Sequence, residues 1–177
     1  SFVTGVQTCA LPISLAVRLE NRPQSSRWYP GAGLYRNVHL IVTDKIHVPV
    51  WGTQITTPHV SKEFAAVRLQ TRIDNAGEKT QIRMETEILS PDGKVVTRKE
   101  NTGRINHGQP FEQNFIVNAP ELWSPENPSL YKAVSKIYAN NKLVDTYTTR
   151  FGIRSIEFIA DKGFYLNGEH RKFQGVC

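Results

Sequence analysis

Cysteine is scarce in this chain. Cys9 and Cys177 sit near opposite ends of 177 residues, which supports neither a disulfide framework nor a metal site and leaves the redox compartment open. No apolar run approaches the roughly 20 residues that a membrane span needs. The five histidines, at 39, 47, 59, 107 and 170, lack the close spacings of metal ligands. There is no G-x-S-x-G elbow and no Walker loop, so serine-hydrolase and phosphate-loop chemistry have no carrier. GAGLYR, residues 31–36, lacks the G-x-G-x-x-G form and leads into a strand pattern instead of a helix, which removes a dinucleotide loop. No window has the periodicity of a long amphipathic helix.

What is present is an ordinary globular composition. Hydrophobic residues make up 39%, charged residues 21%, and the mean hydropathy is −0.40. The length suits one domain with a good core, or a small domain with pieces of its neighbours. A net charge of +6 and a pI near 9.4 invite a nucleic-acid reading. The 22 Lys and Arg, however, run from Arg18 to Lys172 intermixed with acids, the pattern of a solvated surface. Neither nucleic acid nor a membrane is expected as a partner, and no cofactor is implied.

Alternation with period two dominates the chain. In FAAVRLQTRIDN, residues 64–75, Val67, Leu69, Thr71 and Ile73 alternate with Arg68, Gln70, Arg72 and Asp74, as in a half-buried strand. TQIRMETEIL, residues 80–89, places Ile82, Met84, Thr86 and Ile88 on one face and Arg83, Glu85 and Glu87 on the other. FEQNFIV, LYKAVSKIYA and KLVDTYTTRFGI follow suit, and SPDG, Asn140-Asn141 and Asn167-Gly168 read as turns. Strands separated by turns from Ile46 to Ile153 predict a seven-strand, immunoglobulin-like antiparallel sandwich held by apolar packing without an inter-sheet disulfide. Upstream, SLAVRLEN and YRNVHLIVTD read as two further strands. Downstream, GFYLNGEHRKFQGVC reads as a hairpin and one more strand.

Chemistry is harder to find. Glycoside hydrolysis in a β-rich protein needs two carboxyls about 5–10 Å apart. Glu85 and Glu87 share a face, but it is the polar face of an alternating strand beside Arg83, so they read as a solvated pair. Asp74, Asp92 and Asp145 fall at turns or strand edges, where Asp usually accepts from backbone donors. No catalytic residue and no metal ligand emerges. In SSRWYPGAGLYRNVHL, residues 25–40, Arg27, Trp28 and Tyr29 offer a stacking face and a cation to a sugar. The competing reading makes Trp28 and Tyr35 hydrophobic clamps at a domain junction, with Gly31 and Gly33 turning the chain.

SRWYPGAGLYRNVHL, then APELWSPENPSLY, then TRFGIRSIEF and GFYLNGEHRKFQGVC, in this order and spacing, resemble glycoside hydrolase family 2, the β-galactosidase, β-glucuronidase and β-mannosidase family. The resemblance covers residues 15–177. It implies an all-β chain: residues 15–43 as the C-terminal strands of a jelly-roll sugar-binding-like domain, 44–153 as the immunoglobulin-like sandwich, and 154–177 as the lead-in and first strand of a (β/α)8 catalytic barrel. Residues 1–14 fit no part of the pattern and are expected to be non-native or disordered. In the sandwich block, Pro120, Pro125 and Pro128 would stiffen a crossing loop, Trp123 would cover an open end, and Leu130 and Tyr131 would re-enter a strand.

The family's two catalytic glutamates lie on later barrel strands, and neither Glu157 nor Glu169 aligns with them. The resemblance therefore implies a fragment of a retaining exo-β-glycosidase, β-galactosidase-like, that is inactive by itself. Its partner would be a β-glycoside bound by the complete enzyme, with oligomerisation of that enzyme left open. A free-standing carbohydrate-binding or adhesive sandwich module is the alternative.

Overall fold

The computed structural model describes residues 16–18, 20, 37, 39–106, 108–173 and 175. The chain divides into two units, Ser1–Ile41 and Val42–Cys177. In the first, the described residues are exposed and belong to no helix or strand. Arg27, Trp28, Tyr29, Gly31, Gly33 and Tyr35, with the stretch 1–14, lie outside the described residues.

The second unit is built of strands alone among the described residues. They are β1 (Ile46–His47), β2 (Thr53–Val60), β3 (Phe64–Asn75), β4 (Thr80–Leu89), β5 (Val95–Ile105), β6 (Gln109–Asn118), β7 (Tyr131–Ala139), β8 (Lys142–Phe151), β9 (Ile156–Ile159), β10 (Gly163–Leu166) and β11 (Glu169–Arg171). All pairings between them are antiparallel. β3 carries β6 on one side and both β1 and β2 on the other, while the facing sheet runs β5-β4-β7-β8.

β1 pairs with Asp74 and Asn75, and β2 with residues 65–71, so together they form one interrupted edge strand, and the sandwich keeps seven strand positions. The interruption is a tight turn in which the Gly52 amide donates to the Pro49 carbonyl and Trp51 takes a positive φ of 61°. The result is an immunoglobulin-like sandwich whose fourth strand, β5, sits on the β4 sheet.

Alternation explains the core. β3 buries Val67, Leu69, Thr71 and Ile73, and β4 buries Ile82, Met84, Thr86 and Ile88. The buried apolar side chains form two clusters, one around Leu69, Ile88, Phe115, Tyr131 and Ile153, the other around Ile73, Met84, Ile105 and Ile137. Between them four strands each contribute a buried polar residue: Thr71 from β3, Gln113 from β6, Thr86 from β4 and Ser135 from β7. The Thr86 and Ser135 hydroxyls bond each other at 2.9 Å, and Gln113 Nε2 donates to Asn101 Oδ1 at 3.2 Å, but Thr71 Oγ1 has no partner among the described residues.

Side chains close both open sides of the sandwich. Between β5 and β6, Lys99 Nζ donates to the Asn114 carbonyl and Asn101 Nδ2 to the Glu112 carbonyl. On the β2–β8 side, Asp145 Oδ2 accepts from the Val48 amide at 2.8 Å, and the Thr53 and Thr149 hydroxyls meet at 2.8 Å. Such capping protects edge strands from pairing with other chains.

Tyr131, at the start of β7, is buried and its hydroxyl accepts from the Glu121 amide at 2.9 Å, the tyrosine corner of this fold class. Burial raises the phenol's pKa above its ordinary value near 10. The folded protein thus favours the neutral phenol, and this contribution is present below pH 10 and is lost as pH rises through the raised pKa.

Three expectations need correction. The described part of the expected strand over 35–44, residues 37 and 39–44, is not in a strand, because its backbone pairs with no described neighbour. β7 begins at Tyr131, leaving Leu130 outside it and exposed. β11 ends at Arg171, and residues 172, 173 and 175 continue without strand structure for want of a described partner.

The polar band generates a prediction. Thr71→Val replaces an unpartnered buried hydroxyl with a methyl of the same shape and raises stability by about 1 kcal/mol in urea denaturation. Thr86→Val leaves the Ser135 hydroxyl unpartnered and lowers stability by about 1–3 kcal/mol, and adding Ser135→Ala recovers most of that loss.

Candidate functional site: the sandwich exit

β8 delivers the chain out of the sandwich at Phe151, and the residues that follow are held from several directions. Ile153 forms a parallel bridge with Leu122, and its carbonyl accepts from the Trp123 amide at 2.8 Å. Trp123 packs against Gly152 so closely that a Cβ there would lie 2.8 Å from the Trp123 Cβ and Cγ. Any side chain at residue 152 would therefore displace the indole. The Arg154 guanidinium stands 4.6 Å from the Trp123 ring centroid, a cation–π contact.

Asn167 joins this exit to the β9–β11 meander. Its Oδ1 accepts from the Ser155 amide at 3.0 Å while its Nδ2 donates to the Trp123 carbonyl at 3.0 Å. Asn167 and Gly168 have φ of 53° and 79°, the type I′ geometry for which Asn-Gly is suited. The dipeptide is legible in the sequence as a turn. Its use of the Asn side chain to tie two distant segments is not, because the partners lie 12 and 44 residues away.

A cleft of about 650 Å³ opens between β2 and the exit segment, lined by Thr57, Pro58, His59, Phe151, Arg154 and Glu157 among others. A bulge in β2 at Thr57 and Pro58 shapes its wall, a place where an edge strand tolerates proline. Glu157 also borders a smaller cleft of about 230 Å³ with Lys62 and Asn167. Each cleft is lined by a single carboxylate, whereas glycoside hydrolysis calls for two.

Six other acids are engaged elsewhere. Glu85 pairs with Arg83 and Arg98, and Glu87 with Lys136, on the solvent face of β4. Glu126 and Glu169 both pair with Arg171. Asp145 accepts from the Val48 and Thr146 amides, and Asp74 pairs with Arg72.

Four carboxyls that line neither cleft are held below their ordinary range: Glu63 by the Ser61 hydroxyl, Glu112 by Gln70 and Asn114, Glu126 by its own backbone N–H and Arg171, and Asp92 to about 2 by Lys94 and Ser90. Among the described residues no group of three His, Cys, Asp or Glu could hold a metal ion. Arg27, Trp28 and Tyr29 lie outside the described residues, so no geometry joins them to either cleft.

The model of glycosyl hydrolases family 2 matches residues 48–154, the sandwich together with its exit. The chain belongs to glycosyl hydrolase family 2. This family 2 chain is 39% identical over 170 residues to the β-galactosidase BoGH2A of Bacteroides ovatus, covering 94% of this chain and 20% of that protein. It is 35% identical over 160 residues to a β-glucuronidase of Formosa agariphila, covering 84% of this chain and 16% of that protein. Among solved structures, a β-glycosidase from Bacteroides vulgatus superposes with a TM-score of 0.74 at 31% identity, over 85% of this chain and 19% of that one. This family 2 chain thus spans about a fifth of the length of the relatives it matches.

The exit predicts its own sensitivity. Gly152→Ala forces the Trp123 ring to shift and costs about 1–3 kcal/mol in denaturant titration. The turn at residues 90–93 predicts an acid response. The lowered pKa of Asp92 contributes stability that is present above pH 3.8 and lost as pH falls through about 2. Asp92→Asn should therefore flatten the midpoint of thermal unfolding between pH 4 and pH 2 relative to the unchanged chain.

Proposed function

We propose that this chain is the immunoglobulin-like connecting domain, with portions of its two neighbours, of a retaining exo-β-glycosidase that hydrolyses terminal β-glycosidic bonds. The observation that carries the reading is a family 2 sandwich that spans a fifth of its relatives' length and whose two clefts at the exit share one carboxylate, Glu157. Residues 15–43 are assigned to the end of a jelly-roll domain and 154–177 to the approach to a catalytic barrel. That barrel supplies both glutamates, one as acid and base, the other as nucleophile, about 5 Å apart as a retaining mechanism requires. Arg27, Trp28 and Tyr29 border the sugar subsite of the complete enzyme.

The sandwich contributes position. A chain clamped at Trp123, Gly152 and Asn167 enters the next domain in a fixed direction, and a precisely held site depends on such rigid support. A β-galactoside is the favoured substrate, supported by the 39% identity to a β-galactosidase against 35% to a β-glucuronidase.

The reading frame past residue 177 and nitrophenyl β-galactoside and β-glucuronide hydrolysis test this together. The expected result is a frame that continues into a barrel, turnover of the galactoside by the extended polypeptide, and none by the 177-residue chain. Turnover by the 177-residue chain, or a frame that stops after residue 177, contradicts the proposal, the latter in favour of a free-standing module.

A further inference from the structure

The meander β9–β11 has two unlike faces. Phe158 of β9 lies opposite Phe164 of β10, and Ile156 opposite Leu166, which places these four side chains on one face. Leu166, at the end nearest the sandwich exit, is buried. The rest of the face is bare: Phe158 is 75% exposed and Ile156, across from Leu166, 50% exposed. The chain leaving β11 then lays Phe173, also 75% exposed, against Phe164 with ring centroids 4.6 Å apart, while Phe158 meets Phe164 at 5.2 Å. Three phenylalanines thus form a continuous aromatic row on the surface.

Strands of four, four and three residues cannot bury a core of their own, and a small sheet of this kind needs something packed on its apolar face. Charges do not explain the row. Arg171, on the same face, already pairs with Glu126 and Glu169.

We infer that the Phe158–Phe164–Phe173 row is the seat of the polypeptide that follows residue 177, which packs on it as the floor of the catalytic barrel. Two observations select that occupant. The chain spans about a fifth of its relatives' length, so a large remainder exists in them. The segment leaving β11 also already lies on the row through Phe173. The inference rests on the proposed reading that a barrel follows, and it adds which side chains carry the contact.

Hydroxyl-radical footprinting of the 177-residue chain and of the polypeptide extended along its reading frame tests it. In the extended protein the oxidation rates of Phe158 and Phe173 should fall about fivefold, as rings 75% exposed become buried. Phe158→Ser should leave the melting temperature of the 177-residue chain unchanged and lower that of the extended protein. Unchanged rates in the extended protein overturn the inference. So does protection in the 177-residue chain that grows with its concentration, which would make a second copy the occupant, and so does a frame that stops after residue 177. Glycosidase activity of the extended protein with bare phenylalanines would sink this inference alone. Protected phenylalanines without activity would sink only the catalytic reading.

Discussion

The packing of Trp123 on Gly152 is the contact on which the exit from the sandwich depends. Only a residue without a side chain leaves room for the indole there, and the approach of backbone to ring aligns the Ile153 carbonyl with the Trp123 amide. That alignment places the Trp123 carbonyl where Asn167 can reach it while also holding Ser155. The loop before β7, the end of β8 and the turn of the meander therefore form one cross-linked unit. A single misplaced methyl at residue 152 would be felt in all three.

The sandwich that supports this unit is held without a disulfide. Two apolar clusters supply the burial, a band of Thr71, Gln113, Thr86 and Ser135 lies between them, and Tyr131 pins the loop that leads into β7. The polar band constrains register. Slipping any strand by one residue would turn its apolar set outward, and slipping by two would place a hydroxyl or amide against an apolar cluster. Side-chain bonds along both open sides tie the edge strands of the two sheets to each other and occupy two of the carbonyls of β6. The ionisable groups fit a supporting role, since the acids on β4 and around Arg171 are paired.

Legibility in the sequence follows the number of buried faces. β3 and β4 can be read to the residue because one face of each is buried along its length and the other is charged. β2 and β5 escape the same reading. β2 is broken by the bulge at Thr57 and Pro58, and β5, rich in charged and polar residues, is mostly exposed on both faces. The exposed Phe158 breaks the rule in the other direction, since its pattern promises burial that the described residues do not provide. At the exit, Trp123 and Asn167 are recognisable as an aromatic cap and a turn, but their partners are fixed by tertiary structure. Tyr131 is recognisable as a strand start and not as a hydrogen-bond acceptor for Glu121, ten residues away.

The proposal that this family 2 chain supports a catalytic centre carried by the polypeptide beyond it is open to mass spectrometry after treatment with a β-configured cyclitol aziridine, which alkylates the nucleophilic carboxylate of a retaining glycosidase. One label per extended polypeptide is expected, on a glutamate beyond residue 177, and none on the 177-residue chain. A label on any carboxylate within residues 44–173 would contradict it.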